Sequence, residues 1–159
     1  STFVLLDGVP QQLPLASSTR NLAQTFRVGP SGRPVDDPSY NEQNLAFRGI
    51  GLKPYAPVHL RAQDTGGDLV VTWIRRTRVD GDIWDVPDVP LGEAREAYRV
   101  VVKQGAVTIR EDEVTAPRWV YDAAMRAEDG LQGAYEISVA QISDRFGPGS
   151  VASISVGGV

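Results

Sequence analysis

Cysteine is absent from the 159 residues. That absence excludes disulfides, thiolate nucleophiles and thiolate metal sites. A cysteine-free chain folds in either redox compartment, so assembly in the cytoplasm followed by work outside the cell is open to it. Histidine is almost absent too, His59 being the only one. With one imidazole, no thiol and no evident serine partner, catalytic triads and zinc sites lack their parts. No apolar run approaches the roughly 20 residues that span a bilayer as a helix, so membrane insertion is not expected. The opening Ser1-Thr2-Phe3-Val4-Leu5-Leu6-Asp7 lacks the charged and long apolar regions of a signal peptide. It starts without Met inside what reads as a strand, and a piece cut from a longer polypeptide is expected. A basic face is missing as well: the formal net charge is -4, with acids and bases interspersed. A protein built to hold nucleic-acid phosphates needs the opposite.

Apolar residues are plentiful, at 42%, enough for a packed core. Eleven prolines and sixteen glycines punctuate the chain, and the segments between them alternate in polarity with a period of two. Val58, Leu60 and Ala62 alternate with His59 and Arg61. After the turn Thr65-Gly66-Gly67-Asp68, Leu69, Val71 and Trp73 share one face. Tyr98, Val100 and Val102 repeat the pattern against Arg99 and Lys103. Gln104-Gly105 turns the chain into a strand holding Val107 and Ile109, and Glu111-Asp112-Glu113 reads as a solvated turn. Tyr121 to Glu128 favours a short helix before Asp129-Gly130. Tyr135, Ile137 and Val139 form another apolar face, Phe146-Gly147-Pro148-Gly149 a tight turn, and Val151 to Val156 a last strand. About seven strands over about 100 residues predict an all-β, immunoglobulin-like sandwich.

Residues 1–52 read differently. Phe3 to Leu6, Leu22 to Val28 and Leu45 to Arg48 are candidate strands separated by loops rich in Pro, Ser, Gly and Asp. Three strands bury a sheet face poorly. The expectation is the terminal strands and loop of an incomplete upstream β domain over 1–52, then the sandwich over 53–159.

The aromatics narrow the fold. Trp73, Tyr98 and Tyr135-Glu136-Ile137-Ser138-Val139 stand where fibronectin type III domains carry a Trp on the second strand, a Tyr opening the third and a Tyr opening the sixth. The second half resembles that family, which implies that these rings fill the space between two sheets and that the tyrosine hydroxyl meets a backbone partner near the corner. One departure is the long excursion from Thr77 to Ala97. Together with Pro57 to Ala62, the run Gly67-Asp68-Leu69-Val70-Val71-Thr72-Trp73-Ile74-Arg75-Arg76-Thr77-Arg78-Val79-Asp80-Gly81-Asp82, Trp84, Val89 to Glu93, Glu96 to Val100 and Val139 to Ser143 resembles the C-terminal part of the baseplate hub, or host-specificity, proteins of gene transfer agents and related siphophages. This resemblance covers 47–156. It implies a large, usually trimeric tail-tip protein, made in the cytoplasm and carried on a virion or gene-transfer-agent particle. Its partners would be other hub copies, tail fibres or other baseplate proteins, and a cell-surface glycan or receptor.

Candidate chemistry is sparse. His59 falls on the outer face of its strand. The loop Asp80-Gly81-Asp82-Ile83-Trp84-Asp85 superficially suggests calcium, but the further oxygen ligands, the glycine and the distal glutamate of a calcium loop are absent. A turn whose carboxylates meet backbone amides and Arg75, Arg76 or Arg78 is the better reading. Those arginines could grip phosphate, yet neighbouring aspartates favour pairing within the molecule. Trp84 and Trp119 fall outside the core periodicity. Each either covers the long loop or stands exposed as an anchor for a partner or sugar ring; for Trp84 the loop's need for a pin favours cover. Trp84, Trp119, Arg78, Asp80 and Asp82 are therefore the binding candidates, with no catalytic residue, metal or cofactor. The expected role is structural and adhesive, not enzymatic. The alternatives are a carbohydrate-binding or accessory module of a secreted polysaccharide-active enzyme and, more weakly, a small hydrolase.

Overall fold

The computed structural model describes residues 15–81, 85 and 88–157. The chain forms two compact units, Ser1–Ile50 and Gly51–Val159. The candidate strand Phe3 to Leu6 lies outside the described residues.

In the first unit, β1 (Ala23–Val28) pairs antiparallel with β2 (Asn41–Ala46), from Ala23 opposite Ala46 to Val28 opposite Asn41. The sequence reading placed a strand at 45–48 and a loop up to Asn44. The structure begins β2 earlier, because Asn41 to Asn44 pair through their backbones and carry no apolar signal. Every residue of β2 is exposed, and Phe26 meets Phe47 edge-to-face with ring centroids 5.5 Å apart.

The second unit is a sandwich of two antiparallel sheets. β3 (Val58–Asp64), β4 (Leu69–Ile74) and β7 (Arg118–Tyr121) make the first, in the order β3-β4-β7. The second is β6-β5-β8-β9, from β5 (Tyr98–Gln104), β6 (Val107–Val114), β8 (Tyr135–Ser143) and β9 (Gly147–Val156). This all-β, three-on-four arrangement is fibronectin type III-like. Period-two alternation builds its core. Leu69, Val71 and Trp73 of β4 and Trp119 and Tyr121 of β7 face Tyr98, Val100 and Val102 of β5 and Tyr135, Ile137 and Val139 of β8. Trp73 and Tyr98 meet edge-to-face at 5.1 Å, a geometry that ring quadrupoles favour. The three aromatics of the family pattern are buried, with Trp73 at 4% exposure and Tyr135 at 8%.

Four details differ from the sequence reading. Glu111-Asp112-Glu113 is not a turn: it continues β6, opposite Val101, Val100 and Arg99. A run of acids is tolerated there because β6 is an edge strand with solvent beside it. Trp119 is not outside the core; it lies on β7 at 5% exposure, a strand hidden from pattern reading by its four-residue length. The Tyr135 hydroxyl does not find a backbone partner: it is buried without a hydrogen bond among the described residues, and burial raises its pKa. The turn before β9 comes at 144–146, so that β9 takes up Gly147. The short helix α1 (Ala123–Asp129) sits close to its expected place. Asp122 caps it by accepting from the Met125 N–H at 2.8 Å, and Gly130 ends it in the left-handed region. No helix among the described residues is long and apolar enough to cross a membrane.

Candidate functional site

The chain between Ile74 and Tyr98 has no helix or strand among its described residues. It is held instead by arginines that turn inward. Arg75 leaves the end of β4 and donates from Nη2 to Asp88 Oδ2 at 2.7 Å and to the Val89 carbonyl at 2.6 Å. Its Nη1 lies 3.6 Å from Glu96 Oε1, which accepts from the Tyr98 hydroxyl at 2.7 Å. Burial, and then this carboxylate, push the Tyr98 hydroxyl pKa far up. One guanidinium thus ties the middle and the end of the loop to the sheet that Tyr98 opens.

Arg76 points elsewhere and lies over the Tyr55 ring, 4.9 Å from its centroid, within cation–π range. Arg78 donates from Nε to Glu93 Oε1 at 3.0 Å, and from its two terminal nitrogens to the Gly51 and Gly92 carbonyls. Between these anchors the loop folds on Thr77. Its hydroxyl donates to the Val79 carbonyl at 2.8 Å and accepts the Val79 N–H at 3.1 Å. Val79, Asp80, Gly81, Asp85 and Asp88 stand exposed. Asp80 adopts φ 49°, a left-handed turn that Asp tolerates better than most residues.

Pairing with acids within the molecule is found for Arg75 and Arg78, whereas Arg76 lies on an aromatic ring instead. Among the described residues, Asp88, Glu93, Glu96 and the Tyr55 ring receive them. Arg78 is spent on Glu93 and two carbonyls and is not presented outward. Asp80 is exposed at the tip. Asp82 and Trp84 lie outside the described residues. Trp119 cannot act as an exposed anchor: it stacks on Tyr121 at 5.0 Å and its indole Nε1 donates to Asp112 Oδ2 at 3.0 Å. His59 is exposed, as its alternation predicts, but at φ 52° beside a register shift between Val58 and Arg61.

A second polar group forms on the four-stranded sheet, where Arg99, Glu111, Asp112, Glu113, Ile142 and Pro148 line an open concavity of about 520 Å³. Arg99 grips Glu111 with two nitrogens, at 2.6 and 2.5 Å, which lowers the Glu111 pKa. Arg95 bridges Glu113 at 2.6 Å and Asp144 at 3.1 Å. A carboxylate held ionised by a guanidinium is a poor proton donor, so Glu111 does not suit the general-acid half of a hydrolytic pair. No group of three or more His, Asp or Glu side chains gathers as a metal site among the described residues.

No family model and no curated protein matches the sequence. Several solved structures do resemble the chain. A mutant of FN3tt is similar at a TM-score of 0.45 and 12% identity, over 66% of this chain and 96% of that one. Domains d3–d4 of the rat CD45 extracellular region are similar at 0.45 and 11%, over 98% of this chain and 75% of theirs. A human fourth FNIII domain is similar at 0.41 and 20%, over 66% and 78%. Fibronectin type III domains are among its structural neighbours.

Proposed function

We propose that this chain is a structural and adhesive component of a phage-like tail tip or baseplate hub, which positions fibres or touches the host surface without making or breaking bonds. The observation that supports it most is the loop between Ile74 and Tyr98. Its first residues carry the most specific part of the resemblance to hub proteins. The sandwich holds this loop by Arg75, Arg76 and Arg78 while Val79, Asp80 and Gly81 stay exposed. A loop fixed at its base and open at its tip is how a rigid scaffold presents a recognition surface. The partners in this reading are other hub copies, in a trimer as the resemblance implies, tail fibre or other baseplate proteins, and a surface glycan or receptor. Its place is the tail tip of a virion or gene-transfer-agent particle. The reading as a carbohydrate-binding module of a polysaccharide-active enzyme loses one of its two platforms, because Trp119 is buried.

Immunogold electron microscopy of particles labelled with an antibody to this chain tests the proposal. Label is expected at the tail tip. Particles without label there, or turnover of a polysaccharide or peptide panel by the chain, overturn it.

A further inference from the structure

The sandwich pairs most of its arginines internally. Carboxylates receive Arg75, Arg78, Arg95, Arg99, Arg110 and Arg126. Arg61 and Arg118 are different: both are exposed, and neither makes an ion pair or hydrogen bond among the described residues.

Strand register sets these two on one face. Thr72 of β4 stands opposite Arg61 of β3 and opposite Arg118 of β7, so the three form a row across the three-stranded sheet. Val71 and Trp73 are buried in the core, and alternation turns Thr72 and Ile74 outward. Two strand spacings put the arginine Cα atoms about 10 Å apart. Gln63 is exposed two residues along β3 from Arg61. Arg76 continues the outward series of Thr72 and Ile74 past the strand end, over the Tyr55 ring, which is 46% exposed. No carboxylate holds an outward position on β3, β4 or β7. The one acid on these strands, Asp64, stands opposite the core residue Leu69 and is engaged by Arg126 and the Gly66 and Gly67 amides. On a chain of net charge -4 this face is positive.

We propose that this face binds an acidic polysaccharide, one whose sugars carry carboxylates. Charge complementarity selects an anion: guanidinium forks fit carboxylates, and no acid of the sheet competes for them. The other groups on the face select a glycan among anions. A peptide laid across the face gains no backbone ladder, because ladders form at sheet edges, and a polar row is not the apolar groove that a helix needs. Nucleic acid draws its affinity from many phosphate contacts, and three arginines on an acidic chain supply few. A uronate chain matches everything presented. Its carboxylates meet Arg61 and Arg118, its hydroxyls meet Thr72 and Gln63, and a sugar face packs on the exposed part of Tyr55. This inference deepens the adhesive reading and rests on it for the setting in which the glycan is met.

Calorimetric titration of the whole chain with alginate oligosaccharides, which are chains of uronic acids, is the test. Binding is expected at low ionic strength, weakening with added salt, and none is expected with dextran, a neutral glucan. Arg61→Gln and Arg118→Gln, at exposed positions, should each weaken it about tenfold. Arg61→Lys and Arg118→Lys should cost less, since the charge stays and only the fork is lost. Lys103→Gln, exposed on the other sheet, should leave binding unchanged. No binding to alginate, binding indifferent to both arginines, or an equal loss in Lys103→Gln overturns the proposal. So does polyaspartate or duplex DNA bound as tightly with the same arginine dependence, which would make the occupant an acidic peptide or a nucleic acid. The titration needs no particle. Its failure therefore leaves labelling at the tail tip standing, and unlabelled particles leave the glycan binding standing.

Discussion

Arg78 Nε donates to Glu93 Oε1 at 3.0 Å, and the Glu93 side chain is only 4% exposed. The two residues lie 15 apart on the two limbs of the long loop, so this ion pair joins those limbs. Removing one partner strands the other in a site that water scarcely reaches, and such losses cost more than the pair itself contributes. Glu93→Ala is expected to destabilise the sandwich by about 2–4 kcal/mol in urea unfolding. Arg78→Met, which keeps the stem and removes the charge, leaves Glu93 unpaired and is expected to cost a similar amount. A loss below about 0.5 kcal/mol in both would mean that water already satisfies the pair.

Asp129 is the centre of a separate polar group beside α1, accepting from Arg110 Nε at 2.7 Å and from the Tyr121 hydroxyl. Arg110, ahead of the opposing effect of burial, lowers its pKa below the ordinary 3.8. A carboxylate lowered in the folded state contributes stability that is present above its unfolded pKa and lost as pH falls through the folded one. The chain is therefore expected to lose stability as pH drops below about 4, with Asp129 one of the contributors. Asp129→Asn should flatten that acid limb in urea midpoints measured from neutral pH to about pH 2.5. An acid limb of unchanged steepness would remove Asp129 from the account. Tyr121→Phe separates the hydroxyl from the charge, with an expected cost of about 1–2 kcal/mol at neutral pH.

Much of the fold was legible because β-strand chemistry repeats every second residue. Leu69, Val71 and Trp73, or Tyr135, Ile137 and Val139, declare one face whatever they pack against. The pattern failed where partners outweigh period. Asn41 to Asn44 join a ladder through their backbones alone, and Glu111-Asp112-Glu113 look like a turn until Asp112 is seen to accept from the Trp119 indole. The loop anchors were legible only in kind. That Arg75 and Arg78 would find internal acids follows from composition, but Asp88 and Glu93 lie 13 and 15 residues on through irregular chain. No periodicity reports such a contact.

Trp119 separates the two readings of the isolated tryptophans. Because it is buried against Tyr121 with its nitrogen on Asp112, Trp119→Ala is expected to cost about 3–5 kcal/mol. Trp119→Phe keeps most of the packing but leaves Asp112 without that donor, so a smaller loss, about 1–3 kcal/mol, is expected. Urea unfolding followed by tyrosine fluorescence or circular dichroism measures both. Full stability in Trp119→Ala would place this ring on the surface after all and restore it as a candidate sugar platform.

Gly149 tests how β9 is seated at its start. A Cβ built there would lie 2.6 Å from the Pro54 carbonyl oxygen and 3.1 Å from that of Gln141. Both are backbone atoms, so neither yields as a flexible side chain would. One methyl group must then displace either the Pro54 segment or the strand itself, and overpacking of this kind costs about 1–3 kcal/mol. Gly149→Ala is expected to lower the urea midpoint accordingly and to speed exchange of the Ser150 amide, whose partner is the Pro54 carbonyl. Gly105→Ala is the contrast. Its φ of 59° strains any side chain, yet a Cβ there meets nothing within 4 Å, so it should destabilise by backbone strain alone, about 1 kcal/mol, and leave Ser150 exchange untouched. If Gly149→Ala leaves the Ser150 amide as protected as before, the close approach of β9 to Pro54 does not hold the end of the strand.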